Sequence, residues 1–307
     1  MLYNQINSFL FTIVATSTPI LLASQGGLLT GMSGMFNVGL EGMMLMAAFF
    51  SVFTCNATGS LVLGLGAGVG VAMLVGLMMV FISTKLKADI FVVGIATNLL
   101  STGLTTFLGS WLLGLKGTLL FKDAPRLALL DIPLIRDIPL LNGFLNGHHL
   151  IDYLGIVLTI LLYLIVFYTT FGRHSMAVGI SPWVAHARGI PVDKIRYLSY
   201  LGCGLFCGLA GAALSLPIGA FMGGPVGMTN GRGWLAMAVV VIGNNNPLRI
   251  LMVAWAFGAI SAAADIIQAT THFSPRLLMA FPFIGALLIT MLYSMRKGKG
   301  GPGTSGL

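Results

Sequence analysis

Long charge-free apolar runs set the pattern of this chain: residues 1–40, 42–84, 90–115, 153–172, 197–231 and 277–295 contain no Asp, Glu, Lys or Arg. Most of them reach or exceed the roughly 20 residues that an α-helix needs to cross a bilayer. The pattern predicts an all-α polytopic membrane protein with about nine transmembrane helices. They fall near 8–29, 37–55, 60–82, 90–114, 152–171, 194–216, 231–243, 247–268 and 277–295. Residues 1–295 read as one transmembrane domain, and 296–307, ending "GKGGPGTSGL", as a disordered tail without apolar periodicity. Gly64, Gly66, Gly68 and Gly70 in the third crossing, and Gly204, Gly208 and Gly211 in the sixth, follow small-residue spacings that let helices approach closely.

Composition agrees: 57% of the residues are hydrophobic, and mean hydropathy is +0.96. The net charge of +8 would suggest nucleic acid in a soluble chain, but here the bias of membrane proteins toward basic cytoplasmic loops explains it. With the N-terminus outside, Lys85, Lys87, Arg173, Arg188, Lys194, Arg196, Arg249, Arg296, Lys297 and Lys299 fall on the cytoplasmic side, as does the C-terminus. The loop 115–151 then lies outside, where Asp123, Asp131 and Asp137 offset its bases. Residues 1–30 lack the basic start and cleavage pattern of a signal peptide, so the first run reads as a retained helix. Cys203 and Cys207 sit in an apolar helix without His or acidic neighbours and read as packing residues, not metal ligands.

One polar island interrupts the pattern, "GISPWVAHARGIPVDKIR" at 179–196. Its middle predicts a complete short helix. Ser181 caps it, Pro182 suits the first helical position, Arg188 complements the negative end, Gly189 supplies a left-handed stop and Pro191 prevents continuation. A helix this short is not stable alone in water, so something must hold it in place.

Two glycine-rich breaks lead into apolar helices, "GMFNVGLEGMM" at 34–44 and "GMTNGRGWLAM" at 227–237. In the topology above they enter the membrane from opposite sides, which is the sequence signature of an inverted repeat with a substrate path at its interface. Glycine turns before membrane helices also occur without a repeat. Asn37, Glu41, Asn98, Asn230, Trp234 and Asp265 are the residues placed along such a path. Glu41 must face protein or water. Backbone N–H groups around the glycine turn would satisfy its carboxylate, and substrate contact is the alternative. Asn98 lies well inside the fourth crossing and needs hydrogen-bond partners, either another helix or a polar solute.

No catalytic residue, metal ligand set or G-x-x-x-x-G-K-[ST] phosphate loop is found, so the chain reads as neither an enzyme nor an ATPase. Five blocks resemble the permease subunits of ABC importers for nucleosides and simple sugars, within the ribose and branched-chain amino-acid permease superfamily: "NVGLEGMMLMAA" (37–48), "VVGIATNLLSTGLTTFL" (92–108), "DIPLLNGF" (137–144), "VGISPWVAHARGIPVDKIRYLSYLGCGLFCGLAGAAL" (178–214) and "GRGWLAMAVVVIGNNNPL" (231–248). The resemblance covers roughly 8–295 and departs at "GNNNPL", where an aromatic or basic residue is more usual, and in the acid-free "SPWVAHARG".

The resemblance implies a type II-like importer fold of two pseudo-symmetric halves. It also implies a multi-pass location in the bacterial cytoplasmic membrane and no cofactor on this chain, ATP being used by a separate ATPase subunit. A second permease chain, identical or not, and an extracytoplasmic substrate-binding lipoprotein or protein are implied as partners, the latter meeting the loop 115–151. No nucleic acid is implied. Ser181, Pro182, Trp183, Ala185, His186, Ala187, Arg188 and Gly189 match the cytoplasmic coupling helix, with Trp183, Ala185 and Ala187 on its docking surface and Asp193 capping the helix that receives the motion. Without the resemblance, an amphipathic helix resting on lipid headgroups explains the same residues. An ion-coupled carrier using Glu41 and Asp265 is the alternative function.

Overall fold

The computed structural model describes residues 2–114, 118–121, 124–131, 143–144, 146–224, 227–270 and 285. The expected ninth crossing (277–295), the tail, and much of the block 137–144 lie outside these. Among the described residues the chain is helical, as expected: α1 (Leu2–Met32), α2 (Leu40–Thr58), α3 (Leu61–Lys85), α4 (Ile90–Leu113), α5 (Leu150–Tyr168), α6 (Thr170–Ile180), α7 (Pro182–Ala187), α8 (Val192–Ser215), α9 (Arg232–Gly243) and α10 (Pro247–Thr270).

Seven of these, α1 to α5, α8 and α10, are long and apolar enough to span a membrane. At the expected crossing 231–243, helix α9 has 12 residues, about 18 Å at roughly 1.5 Å per residue, so the helix by itself covers only part of the ~30 Å hydrocarbon core.

Helix α8 is the hub, packed on α1, α2 and α3. Its glycines explain the proximity. A Cβ at Gly204 would lie 2.5 Å from the Met73 Cα, and one at Gly208 2.5 Å from the Val69 Cα. On the side of α3 that faces α2, a Cβ at Gly64 would meet the Cys55 Cβ at 2.7 Å. With no membrane-driven hydrophobic effect between helices, such backbone approach supplies much of the attraction. Gly66 and Gly70 differ from the expectation, because nothing lies within 4 Å of a Cβ built on either and they face away from the bundle.

Two short antiparallel ribbons tie the loop after α4 to neighbouring segments. Strand β1 (Thr118–Leu120) pairs with β4 (Ala220–Met222) in the register Leu119↔Phe221, and β2 (Leu129–Leu130) pairs with β3 (His148–His149). Leu119 and Phe221 are buried with Phe49 in a satellite apolar cluster, so this part of the loop rests on the middle of α2 and the end of α8.

Beside the second ribbon, His148 is buried with its ring stacked on Phe11, centroids 4.7 Å apart, and edge-on to Tyr153. Burial lowers its pKa below the usual histidine value, outweighing the opposite pull of the Asp152 carboxylate.

Candidate substrate path and coupling helix

The two glycine breaks meet. Glu41, in the first turn of α2, accepts the backbone N–H of Gly231 at 2.9 Å and of Gly233 at 2.6 Å, which open α9. Two helix N-termini, each with orphan donors and a partial positive charge, therefore converge on one carboxylate. Gly233 permits the contact, since a Cβ there would lie 2.5 Å from the Glu41 nitrogen. Gly231 caps α9 with φ +77, and Asn230 before it has φ +46, a left-handed pair that turns the chain sharply into the helix.

A second clip holds the start of α2. The Asn98 amide of α4 accepts from Gly42 N–H at 2.7 Å and donates to the Val38 carbonyl at 3.0 Å. Below it, buried Asn37 accepts from Gly39 N–H at 2.7 Å and donates to the sulfurs of Met43 and Cys203 at 3.3 Å each. Between them, Asn98, Asn37 and the start of α2 satisfy polar groups that hydrocarbon could not.

Around this junction lies a cavity of about 350 Å³ lined by Glu41, Leu45, Asn98, Leu99, Thr102, Gly224, Gly227, Thr229, Asn230, Gly231 and Trp234. It brings together four of the six residues expected on a path. Asn37 is buried beneath it. Asp265 lies within α10, and its side chain is outside the described residues. A second hollow, about 450 Å³, shares Thr102 and Gly224 and continues along α4 past Gly103, Thr106, Phe107 and Ser110.

Asn98, Thr102, Thr106 and Ser110 recur every four residues, so they form one polar ridge on a helix whose outer face is otherwise apolar. Each hydroxyl donates to the carbonyl four residues back, at 3.0, 2.7 and 3.0 Å for Thr102, Thr106 and Ser110. The hydroxyl oxygens keep acceptor capacity toward the groove. Sequence reasoning passed over these three, although the spacing was readable in "NLLSTGLTTFLGS". It also passed over Gln25, fully buried in α1, which donates to the Thr159 hydroxyl at 3.2 Å and the Pro247 carbonyl at 3.0 Å and so joins α5 and α10.

At the junction of α6 and α8, α7 is a complete miniature helix. Ser181 Oγ accepts from Val184 N–H at 3.4 Å and Pro182 opens the helix. The stop is a Schellman motif: Gly189 (φ +78) donates to the His186 carbonyl at 2.9 Å and Ile190 to that of Ala185 at 3.0 Å. What holds it is Ala185, 3% exposed, seated on Val178 of α6 and Ile195 of α8. Ala185 is thus corrected from docking surface to anchor, because its methyl is already covered. Trp183 is 86% exposed, and Val184, His186, Ala187 and Arg188 also face outward. Asp193 is corrected too. Pro191 occupies the cap of α8 without a side-chain hydrogen bond, and Asp193, two residues on, pairs instead with Lys85 of α3 at 3.1 Å.

A bundle of membrane-length helices with a polar cavity at the meeting point of two broken segments defines a polytopic membrane permease. The family described as branched-chain amino acid transport system / permease component matches residues 9–292, and the chain belongs to it. It is similar to a putative glucose ABC transporter permease protein, TsgC13, of Haloferax volcanii, 33% identical over 254 residues that cover 81% of this chain and 74% of that protein. It is also similar to the guanosine ABC transporter permease protein NupQ of Bacillus subtilis, 32% identical over 250 residues covering 79% and 77% of the two chains. A third relative, the nucleoside ABC transporter permease protein NupC of Lactococcus lactis, is 26% identical over 300 residues covering 94% and 93%.

Proposed function

We propose that the chain is the membrane-spanning subunit of an ATP-driven importer that moves nucleosides, with simple sugars as the next class, inward across a bacterial cytoplasmic membrane. The observation that carries this reading is the Glu41 junction, where the broken starts of α2 and α9 and the Asn98 clip border a polar cavity that opens onto the hydroxyl ridge of α4. A nucleoside or sugar presents several hydroxyls, and a ridge of Asn, Thr and Ser exchanges hydrogen bonds with them without fixed charge. The two breaks act as counterparts in an inverted repeat, and the cavity is the path between them. Two of the relatives described above are named for guanosine and nucleoside transport, and one for glucose.

Energy enters through α7. Its caps and its Ala185 seat make it a rigid knob between α6 and α8, with Trp183 outermost. Docked in a separate ATPase, it passes nucleotide-driven movement to α8 and so to the helices packed on that hub. The remaining partners are a second permease chain and an extracytoplasmic binding protein that loads the path. The N-terminus lies outside and α7 in the cytoplasm.

Reconstitution tests this reading. The purified chain alone hydrolyses no ATP; with its ATPase, second permease chain and binding protein it takes up labelled nucleoside in an ATP-dependent way. Uptake persists when proton and sodium gradients are collapsed. Uptake that stops with the gradients while ATP is maintained would instead establish an ion-coupled carrier built on Glu41 and Asp265. Orientation is read separately: cysteines replacing Ser181 and Asn245 are labelled only from the cytoplasm, and one replacing Thr118 only from outside.

A further inference from the structure

Beside α7 is a hollow of about 420 Å³ lined by Pro182, Trp183, His186, Val192 and Arg196. Arg196 belongs to α8, and its Nε is buried without a hydrogen-bond partner. Burying an unpaired guanidinium N–H is costly, and an acceptor that enters the hollow meets the part of the Arg196 side chain that lines it. The acid three residues before it in α8 is already engaged: Asp193 is paired with Lys85 at 3.1 Å. Arg188, just after α7, and Lys194, in the first turn of α8, are exposed bases of the same stretch.

We infer that this hollow is a carboxylate socket, in which Arg196 pairs with an Asp or Glu side chain presented by the ATPase subunit while Trp183 covers the pair. The inference rests on the coupling role proposed for α7 and names the chemistry of that contact. A guanidinium offers a planar fork that matches a carboxylate bidentately, and the pair strengthens as Trp183 excludes water. Exposed Arg188 and Lys194 in the same stretch favour approach of an acidic groove. A lipid phosphate would be served by the exposed bases Arg188 and Lys194 alone and would have no use for a recessed guanidinium walled by the docking helix.

The test measures affinity of the purified ATPase subunit for the permease assembly in nanodiscs of zwitterionic lipid, at rising salt. Arg196→Gln lowers affinity at least about 30-fold, the range for losing one side of a desolvated charge pair, and flattens the salt dependence. Arg196→Lys recovers only part, because a point charge replaces a fork. Lys194→Gln, at an exposed base outside the lining of the hollow, changes affinity by less than about 5-fold. His186→Glu is an exposed substitution that cannot unfold the core, and it places a competing carboxylate in the hollow and also weakens binding. Wild-type affinity in both Arg196→Gln and His186→Glu overturns the socket while leaving the coupling role intact. Absence of any ATPase binding by the wild-type assembly overturns both. A loss seen only when anionic lipid is added identifies a headgroup site and likewise overturns the socket.

Discussion

Glu41 and Gly233, 192 positions apart, are joined by a 2.6 Å hydrogen bond in which the carboxylate of one broken helix accepts the backbone N–H that opens the other. With the Gly231 bond at 2.9 Å, both carboxylate oxygens are used. Glu41→Gln keeps one acceptor and turns an NH₂ group toward the other donor. An unpaired buried N–H costs about 1–3 kcal/mol. Uptake per inserted molecule therefore falls more than the amount inserted. Gly233→Ala leaves the carboxylate intact but sets a methyl 2.6 Å from the Glu41 Cα, forcing the two helix starts apart. The same transport defect in both variants assigns the effect to the junction. Normal uptake in Gly233→Ala would show that α2 and α9 need not meet.

Asn98 and Thr102 separate folding from lining. Asn98→Leu removes both bonds to the start of α2, 2.7 and 3.0 Å, leaving a donor and an acceptor unpaired. It lowers the yield of inserted protein and its melting temperature. Thr102→Val preserves shape and removes a hydroxyl bonded only to its own helix, at the Asn98 carbonyl. Such a change costs little stability, yet it deletes a polar group shared by both hollows. Uptake falls with unchanged yield and melting; unchanged uptake would remove the ridge from the path.

The contrast between α7 and the Glu41 junction explains what could be read from the chain. Every signal of α7 is local: Ser181, Pro182 and Gly189 lie within nine residues, and each occupies the position that capping stereochemistry assigns to it. The Glu41 carboxylate was expected to satisfy donors at its own glycine turn, the nearest in sequence, whereas its partners lie 190 and 192 residues away. Asp193 went the same way. Its position in the chain suggested a cap, and Lys85, 108 residues distant, claimed it. Glycine spacing marked close packing at Gly204 and Gly208 but not which glycines face out, since Gly66 and Gly70 share the repeat of Gly64 and Gly68. Apolarity marked α9 as membrane-embedded, while its 12-residue length depends on where Gly231 and Asn244, both left-handed, end the helix.

His148 makes the protein acid-sensitive. Burial holds its folded pKa below the ordinary 6.5, so under mildly acidic conditions the unfolded chain binds the proton that the folded one resists. The stability contributed by the neutral ring is complete above pH 6.5. It is lost progressively as pH falls below that value toward the lowered folded pKa. The unfolding temperature in detergent therefore drops between about pH 7 and 5. His148→Phe keeps the stack on Phe11 and abolishes that share of the drop. Parallel curves for the two proteins would exclude His148 as the cause.

Gly189 tests the coupling role of α7 with the least disturbance to the rest of the fold. Its φ is +78, and nothing lies within 4 Å of a Cβ built on it, so a side chain there meets no steric obstacle and only backbone strain. For an ordinary residue that strain is roughly 1–2 kcal/mol, more for a β-branched one, and asparagine bears it best. Gly189→Val therefore weakens the Schellman stop, loosens the Ala185 seat and misplaces Trp183, while the membrane helices keep their packing. Gly189→Asn retains the stop. The valine variant inserts normally and accepts the loaded binding protein, but either loses ATPase docking or hydrolyses ATP without matching uptake. The asparagine variant stays coupled. A lipid-resting helix predicts little difference between the two, since transport would not then depend on how six residues end. Fully coupled uptake by an inserted Gly189→Val protein would remove α7 from the path of energy transfer.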